Sequence, residues 1–159
     1  MVKILFVCLG NICRSPAAEA VLKKMVQDAG LSDQVEIASA GTSAYHSGNL
    51  PDSRMREHGQ KRNFNLNSLS QKFIPVHFDH YDAIITMDRS NYQNVIEQTD
   101  DQKFISKVKP FSHYCSEHSI TEVPDPYHGG DEGFRYVFDL MEDGCAEILR
   151  RIKNKEPIV

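Results

Sequence analysis

Between Ile4 and Val7 the chain runs Ile-Leu-Phe-Val with no polar break, the pattern of a strand covered on both faces of a parallel sheet. Ala83-Ile84-Ile85-Thr86-Met87 predicts a second buried strand. Val35 to Ala40 alternates well enough for another, and Phe104 to Val108 gives a fourth. Helical spacing fills the intervals. Ala18, Val21, Leu22, Met25, Val26 and Ala29 share one helix face until Gly30 stops the run, and Ser15-Pro16 reads as its cap and opening residue. A short helix is expected from Asp52 to His58, ended by Gly59, after a long polar loop from Ser43 to Pro51. Asp88 is placed to cap a helix carrying Tyr92, Val95 and Ile96. The last helix keeps Phe134, Val137, Phe138, Met141, Cys145, Ile148, Leu149 and Ile152 on one apolar face.

Strands alternating with helices imply βαβ units, hence an α/β fold with a doubly wound, four-stranded parallel sheet and helices on both faces. Ligands of such sheets bind beyond the carboxyl ends of the strands. The loops after Val7, Ala40, Met87 and Val108 are therefore expected at one edge, with the functional site among them.

Composition narrows the function. A length of 159 residues with 40% hydrophobic residues fits one domain spanning 1–159. The net charge of -4 and the absence of a Lys/Arg block argue against a nucleic-acid partner. No apolar run approaches membrane-spanning length, and the first residues lack a leader-cleavage pattern, so no membrane partner and a cytoplasmic location are expected. In a reducing compartment Cys8, Cys13, Cys115 and Cys145 default to free thiols, and no paired Cys/His spacing suggests a metal. His77 and His80 read as loop residues, and Cys145 as core.

The informative segment is Cys8-Leu9-Gly10-Asn11-Ile12-Cys13-Arg14-Ser15, between the first strand and first helix. The Cys-x5-Arg-Ser spacing lets the chain curl until successive backbone N–H groups point inward as an anion nest, to which the helix adds its positive end. The Arg14 fork suits two oxygens of a phosphate. Gly10 allows close backbone approach, and Asn11 tolerates a left-handed conformation. The same field favours thiolate over thiol at Cys8. These features predict in-line attack of Cys8 on a phosphomonoester and a phosphocysteine that water then hydrolyses, without metal or other cofactor. Asp125, in the stiff loop Val123-Pro124-Asp125-Pro126-Tyr127, is the candidate proton donor for the leaving oxygen.

Val7-Cys8-Leu9-Gly10-Asn11-Ile12-Cys13-Arg14-Ser15-Pro16 resembles the signature loop of low-molecular-weight protein tyrosine phosphatases, and Asp125-Pro126-Tyr127 resembles that family's general-acid loop. The resemblance spans nearly the whole chain and implies a flavodoxin-like strand order, 2-1-3-4. It implies a hydrolase of the protein tyrosine phosphatase and acid phosphatase type, acting on phosphotyrosine-containing proteins and aryl phosphates, with inorganic phosphate as product and competing ligand. By resemblance Cys8 is the nucleophile, Arg14 binds phosphate, and Asp125 is general acid and then base. Leu9, Gly10, Asn11, Ile12, Cys13 and Ser15 belong to the substrate loop, with Ser39 supporting it. Tyr45 and Tyr127 match positions that wall the cleft, where aromatic walls select phosphotyrosine over shorter esters. Cys13 reads either as a small packed residue or as a thiol that traps oxidised Cys8, and the resemblance implies the second. Asn67 departs from the pattern, because many members carry a supporting histidine there.

Two rivals remain. A thiol-dependent arsenate reductase uses a similar loop but relays a disulfide through further cysteines, and Cys115 and Cys145 are not a close pair. A phosphotyrosine-binding module would need neither Cys8 as nucleophile nor Asp125 as acid.

Overall fold

In the computed structural model, which describes residues 1–159, four strands form one parallel sheet. They are β1 (Val2–Cys8), β2 (Val35–Gly41), β3 (Ala83–Thr86) and β4 (Val108–Pro110), in spatial order β2-β1-β3-β4. β1 pairs with β2 from Val2↔Val35 to Cys8↔Gly41 and with β3 from Ile4↔Ala83 to Val7↔Thr86, so the strands end at a common edge. The expected fold class and order are present.

The central run of β1 is apolar because each of its faces belongs to a different core. Ile4, Phe6 and Cys8 face a large core closed by α1 (Arg14–Asp28) and α6 (Asp131–Lys153). Leu5 and Val7 face a smaller one with Phe78 of α3 (Val76–His80) and Val95 of α4 (Arg89–Ile96). Truncating a fully buried side chain such as Phe6 costs about 3–5 kcal/mol. Helices thus cover both faces, and none is long and apolar enough to cross a membrane.

Asp88 caps α4 as expected, accepting from the Asn91 N–H at 2.8 Å in a reciprocal capping box. Four local expectations need correction. α1 begins at Arg14 with Cys13 as its N-cap and no side-chain cap bond, because the Ser15 hydroxyl is engaged with Cys8 and Asn11 instead. α2 (Ser53–Lys61) runs through Gly59, which is no terminator: a Cβ there would lie 2.6 Å from Leu66 Cδ1 and 3.1 Å from Phe138 Cζ, so the glycine permits close helix packing. Phe104 belongs to α5 (Gln102–Ile105), whose start Asp101 caps, and its ring stacks on Phe78 at 5.4 Å; the fourth strand begins only at Val108. His77 and His80 lie on α3, where His80 pairs with Glu36 and His77 Nδ1 accepts the Ile74 N–H.

Candidate active site

The segment joining β1 to α1 is anchored by its carbonyls. Cys8 O accepts from Thr42 N–H (2.9 Å), Leu9 O from Ser43 N–H (2.9 Å), Gly10 O from the Ser70 hydroxyl (3.0 Å) and Ile12 O from Asp52 N–H (2.8 Å). The N–H groups of Leu9, Gly10, Asn11, Ile12 and Cys13 donate to no protein acceptor. Backbone donors inside proteins are nearly always paired, so five consecutive free ones in a loop that borders a cleft form a site for an anion. Asn11 adopts φ 56°, the left-handed conformation expected of it, which turns the loop.

Cys8 is 2% exposed at the floor, and its Sγ lies 3.0 Å from Ser15 Oγ. The direction of that bond follows from its neighbours. Gln71 N–H, which can only donate, binds Asn11 Oδ1 at 3.0 Å, so the Asn11 amide nitrogen must face Ser15 Oγ (2.8 Å) and Ser39 Oγ (2.9 Å). Ser15 therefore accepts from Asn11 and turns its own hydrogen toward Cys8; the alternative acceptor, Ala40 O, is farther at 3.4 Å. Ser39 passes its hydrogen to the buried Glu19 carboxylate at 2.5 Å, which Lys23 pairs from the solvent side.

Arg14 is buried and divided among three partners. Nη1 donates to Asp88 Oδ2 at 2.6 Å and to Val123 O at 3.1 Å, and Nη2 lies 3.7 Å from Asp125 Oδ2. Burial opposes its charge, but Cys8, the Asp88 hydrogen bond and Asp125 outweigh burial and hold the guanidinium above its ordinary value. Asp125 itself is half-exposed, at the cleft edge as its loop placement predicts.

The cleft holds about 400 Å³ and is lined by Cys8, Leu9, Gly10, Ile12, Cys13 and Arg14 below, with Tyr45, Asp125 and Tyr127 at its sides. Asn11 and Ser15 do not line it, in contrast to their expected place among substrate-binding side chains: they lie beneath, tying the loop to Ser39. Tyr45 is 86% exposed and stands at the rim, its ring edge-on to His46 at 4.8 Å. Asn67 is exposed and makes no hydrogen bond to the network. Gln71 and Ser70 hold the loop, with the Gln71 side chain also donating to Ser39 O at 3.0 Å.

Sequence reading missed Ser43 and His46, which complete the lining together with His128, and the roles of Glu19, Asp88 and Gln71. Glu19 carried a usable signal, since a carboxylate four residues after Ser15 falls on the helix face that must be buried. Asp88 was legible only as a cap, because its bond to Arg14 spans 74 residues.

Residues 3–157 match the model of the low molecular weight phosphotyrosine protein phosphatase family. The chain is 40% identical over 152 residues to the low molecular weight phosphotyrosine protein phosphatase of Schizosaccharomyces pombe, covering 95% of this chain and 97% of that one. A low molecular weight protein-tyrosine-phosphatase of Bacillus subtilis is 32% identical over 159 residues, covering 99% and 100%. The crystal structure of a protein tyrosine phosphatase from Entamoeba histolytica superposes with a TM-score of 0.94 at 41% identity, covering 98% of this chain and 99% of that one. A sheet of order 2-1-3-4, a loop of five free amides around Cys8 and Arg14, and these likenesses over the whole chain agree: the protein belongs to the low molecular weight phosphotyrosine protein phosphatases, which are hydrolases.

Proposed function

We propose that the chain hydrolyses phosphotyrosine in proteins, and small aryl phosphates, through a phosphocysteine on Cys8. The observation that carries this reading is the meeting of five unpaired amides, the Arg14 fork and the Cys8 sulfur in one cleft, with a carboxyl group, Asp125, above them. The amides and Arg14 neutralise the equatorial oxygens of the phosphoryl group, and the Ser15 hydroxyl stabilises negative sulfur. The Cys8 thiolate attacks phosphorus in line as the bond to the phenolic oxygen breaks, and Asp125 gives that oxygen its proton. The Asp125 carboxylate then takes a proton from water, which attacks phosphorus and breaks the S–P bond. Phosphate leaves and competes for the same cradle.

Tyr45, His46 and Tyr127 support an aryl ester, since a phenyl ring between aromatic walls buries more surface than a serine side chain could. The reading is tested by release of phenolate from an aryl phosphate without added metal. Cys8→Ser should abolish turnover and retain phosphate binding, and Asp125→Ala should chiefly slow esters with poor leaving groups. Full activity in Cys8→Ser would contradict the mechanism.

Cys13 lines the same cleft, and both thiols are free. It is proposed as the resolving thiol under oxidation: peroxide oxidises the Cys8 thiolate to a sulfenic acid, and the Cys13 sulfur displaces water from it to form a disulfide. After peroxide treatment a Cys13→Ser variant should recover less activity with reductant than the parent, and equal recovery would exclude the role.

A further inference from the structure

The loop that carries Asp125 has no regular secondary structure between Val123 and the start of α6, yet a proton donor must be held within hydrogen-bond reach of the leaving oxygen. On its upstream side the loop is fixed twice, by Val123 N–H to Met87 O at 2.8 Å and by Arg14 to Val123 O. On its downstream side Arg54 holds it. Arg54 Nη2 donates to Tyr127 O at 2.9 Å, and the guanidinium carbon lies 5.4 Å from the centre of the Tyr127 ring and 4.6 Å from that of Phe134. Tyr127 in turn donates its N–H to Asp125 Oδ1 at 3.1 Å, so the residue that Arg54 grips is the one that orients the carboxyl group.

Arg54 is itself fixed from the phosphate-loop side. Asp52 takes Nε on Oδ1 at 3.2 Å and Nη2 on Oδ2 at 3.0 Å, while the Asp52 N–H binds Ile12 O. A continuous set of contacts therefore runs from Ile12 in the anion loop through Asp52, Arg54 and Tyr127 to Asp125. Arg54 does not line the cleft. Only a planar guanidinium serves a carboxylate and a carbonyl while lying on two aromatic faces; an ammonium group lacks that geometry.

We propose that Arg54 is a positioning residue for proton transfer: it holds Tyr127, and through it the Asp125 carboxyl group, at a fixed place over the phosphate cradle. This rests on the reading of Asp125 as general acid. Losing the clamp should then slow only the step that needs a proton, in contrast to losing a binding contact, which would slow every aryl ester alike.

The test compares kcat/KM for phenyl phosphate, whose leaving oxygen needs a proton, with that for 2,4-dinitrophenyl phosphate, whose leaving group departs without one. The full-length protein is used with Arg54→Ala, Arg54→Lys, Asp125→Asn and the double variant Arg54→Ala/Asp125→Asn. Arg54→Ala and Arg54→Lys should lower the phenyl phosphate value about tenfold and leave the dinitrophenyl value within about twofold, which also shows that each variant is folded. In the Asp125→Asn background, Arg54→Ala should add nothing to the ratio of the two esters. Equal losses on both esters, or a further change of ratio in the double variant, would overturn the clamp and leave the acid role standing. An unchanged ratio in Asp125→Asn alone would overturn the acid role and the clamp with it.

Discussion

The Asn11 amide nitrogen stands 2.8 Å from the Ser15 hydroxyl oxygen and can only donate to it, because the Gln71 N–H already occupies Asn11 Oδ1. A side chain that never meets the cleft thereby decides which way the Ser15 hydrogen points. Asn11→Asp keeps the size and reverses the polarity, presenting acceptors to Ser15 and Ser39. Its kcat should fall by up to about two orders of magnitude, the lower end of the loss seen when an oriented donor at a reacting group is removed outright, measured by steady-state kinetics on an aryl phosphate. An Asn11→Asp enzyme as fast as the parent would remove Asn11 from the account of how the sulfur is held.

The thiols should differ in reactivity. Burial, then Asp52 and Cys8, push the Cys13 thiol far up, burial does the same to Cys145, and Cys115 is pushed up to about 12, again chiefly by burial. All three stay protonated at neutral pH. Iodoacetate should therefore label Cys8 alone, and inorganic phosphate should protect it. Peptide mapping that finds Cys13 labelled first would contradict this assignment.

Gly41 ends β2 directly beneath the loop: a Cβ there would lie 2.7 Å from Leu9 O and 3.1 Å from Asn11 N, both backbone atoms that a rotamer change cannot move. Gly41→Ala should cost about 1–3 kcal/mol in urea unfolding and reduce kcat by more than a Gly→Ala change at the open site Gly130, where a Cβ meets nothing.

Asp143 on α6 gathers the loop Ser116–His118, accepting three backbone N–H groups and the His118 ring. Burial raises its pKa, but the His118 hydrogen bond and those of the backbone outweigh burial and set it below the ordinary carboxylate value. Its stabilisation is present above the unfolded value of about 3.9 and is lost as the pH falls through the lower folded value. Asp143→Asn should be less stable than the parent at neutral pH, and the difference in urea midpoint should shrink on acidification below about pH 4. A gap that stays constant down to the acid limit would exclude Asp143 as its source.

The legible parts of this protein were those encoded locally. The Ile4–Val7 run, the Asp88 cap and the apolar face of α6 each carry their cause within a few residues, and Cys8 with Arg14 share one loop. Phe104 misled because an apolar residue on a short capped helix reads like one on a strand. Glu36 with His80, Asp88 with Arg14 and Gln71 with Asn11 were illegible because each joins distant segments that meet only after the sheet has formed. Asn67 illustrates the same limit: it is exposed, while Ser70 and Gln71 bind the loop.

The central claim is that phosphate passes through the sulfur of Cys8. Acid-quenching the enzyme within milliseconds of mixing with an aryl phosphate, followed by intact-mass and peptide analysis, tests it directly. The account predicts one phosphoryl adduct on Cys8, formed together with a stoichiometric burst of phenolate and absent in Cys8→Ser. Turnover with no adduct at Cys8, or an adduct on another residue, would contradict it.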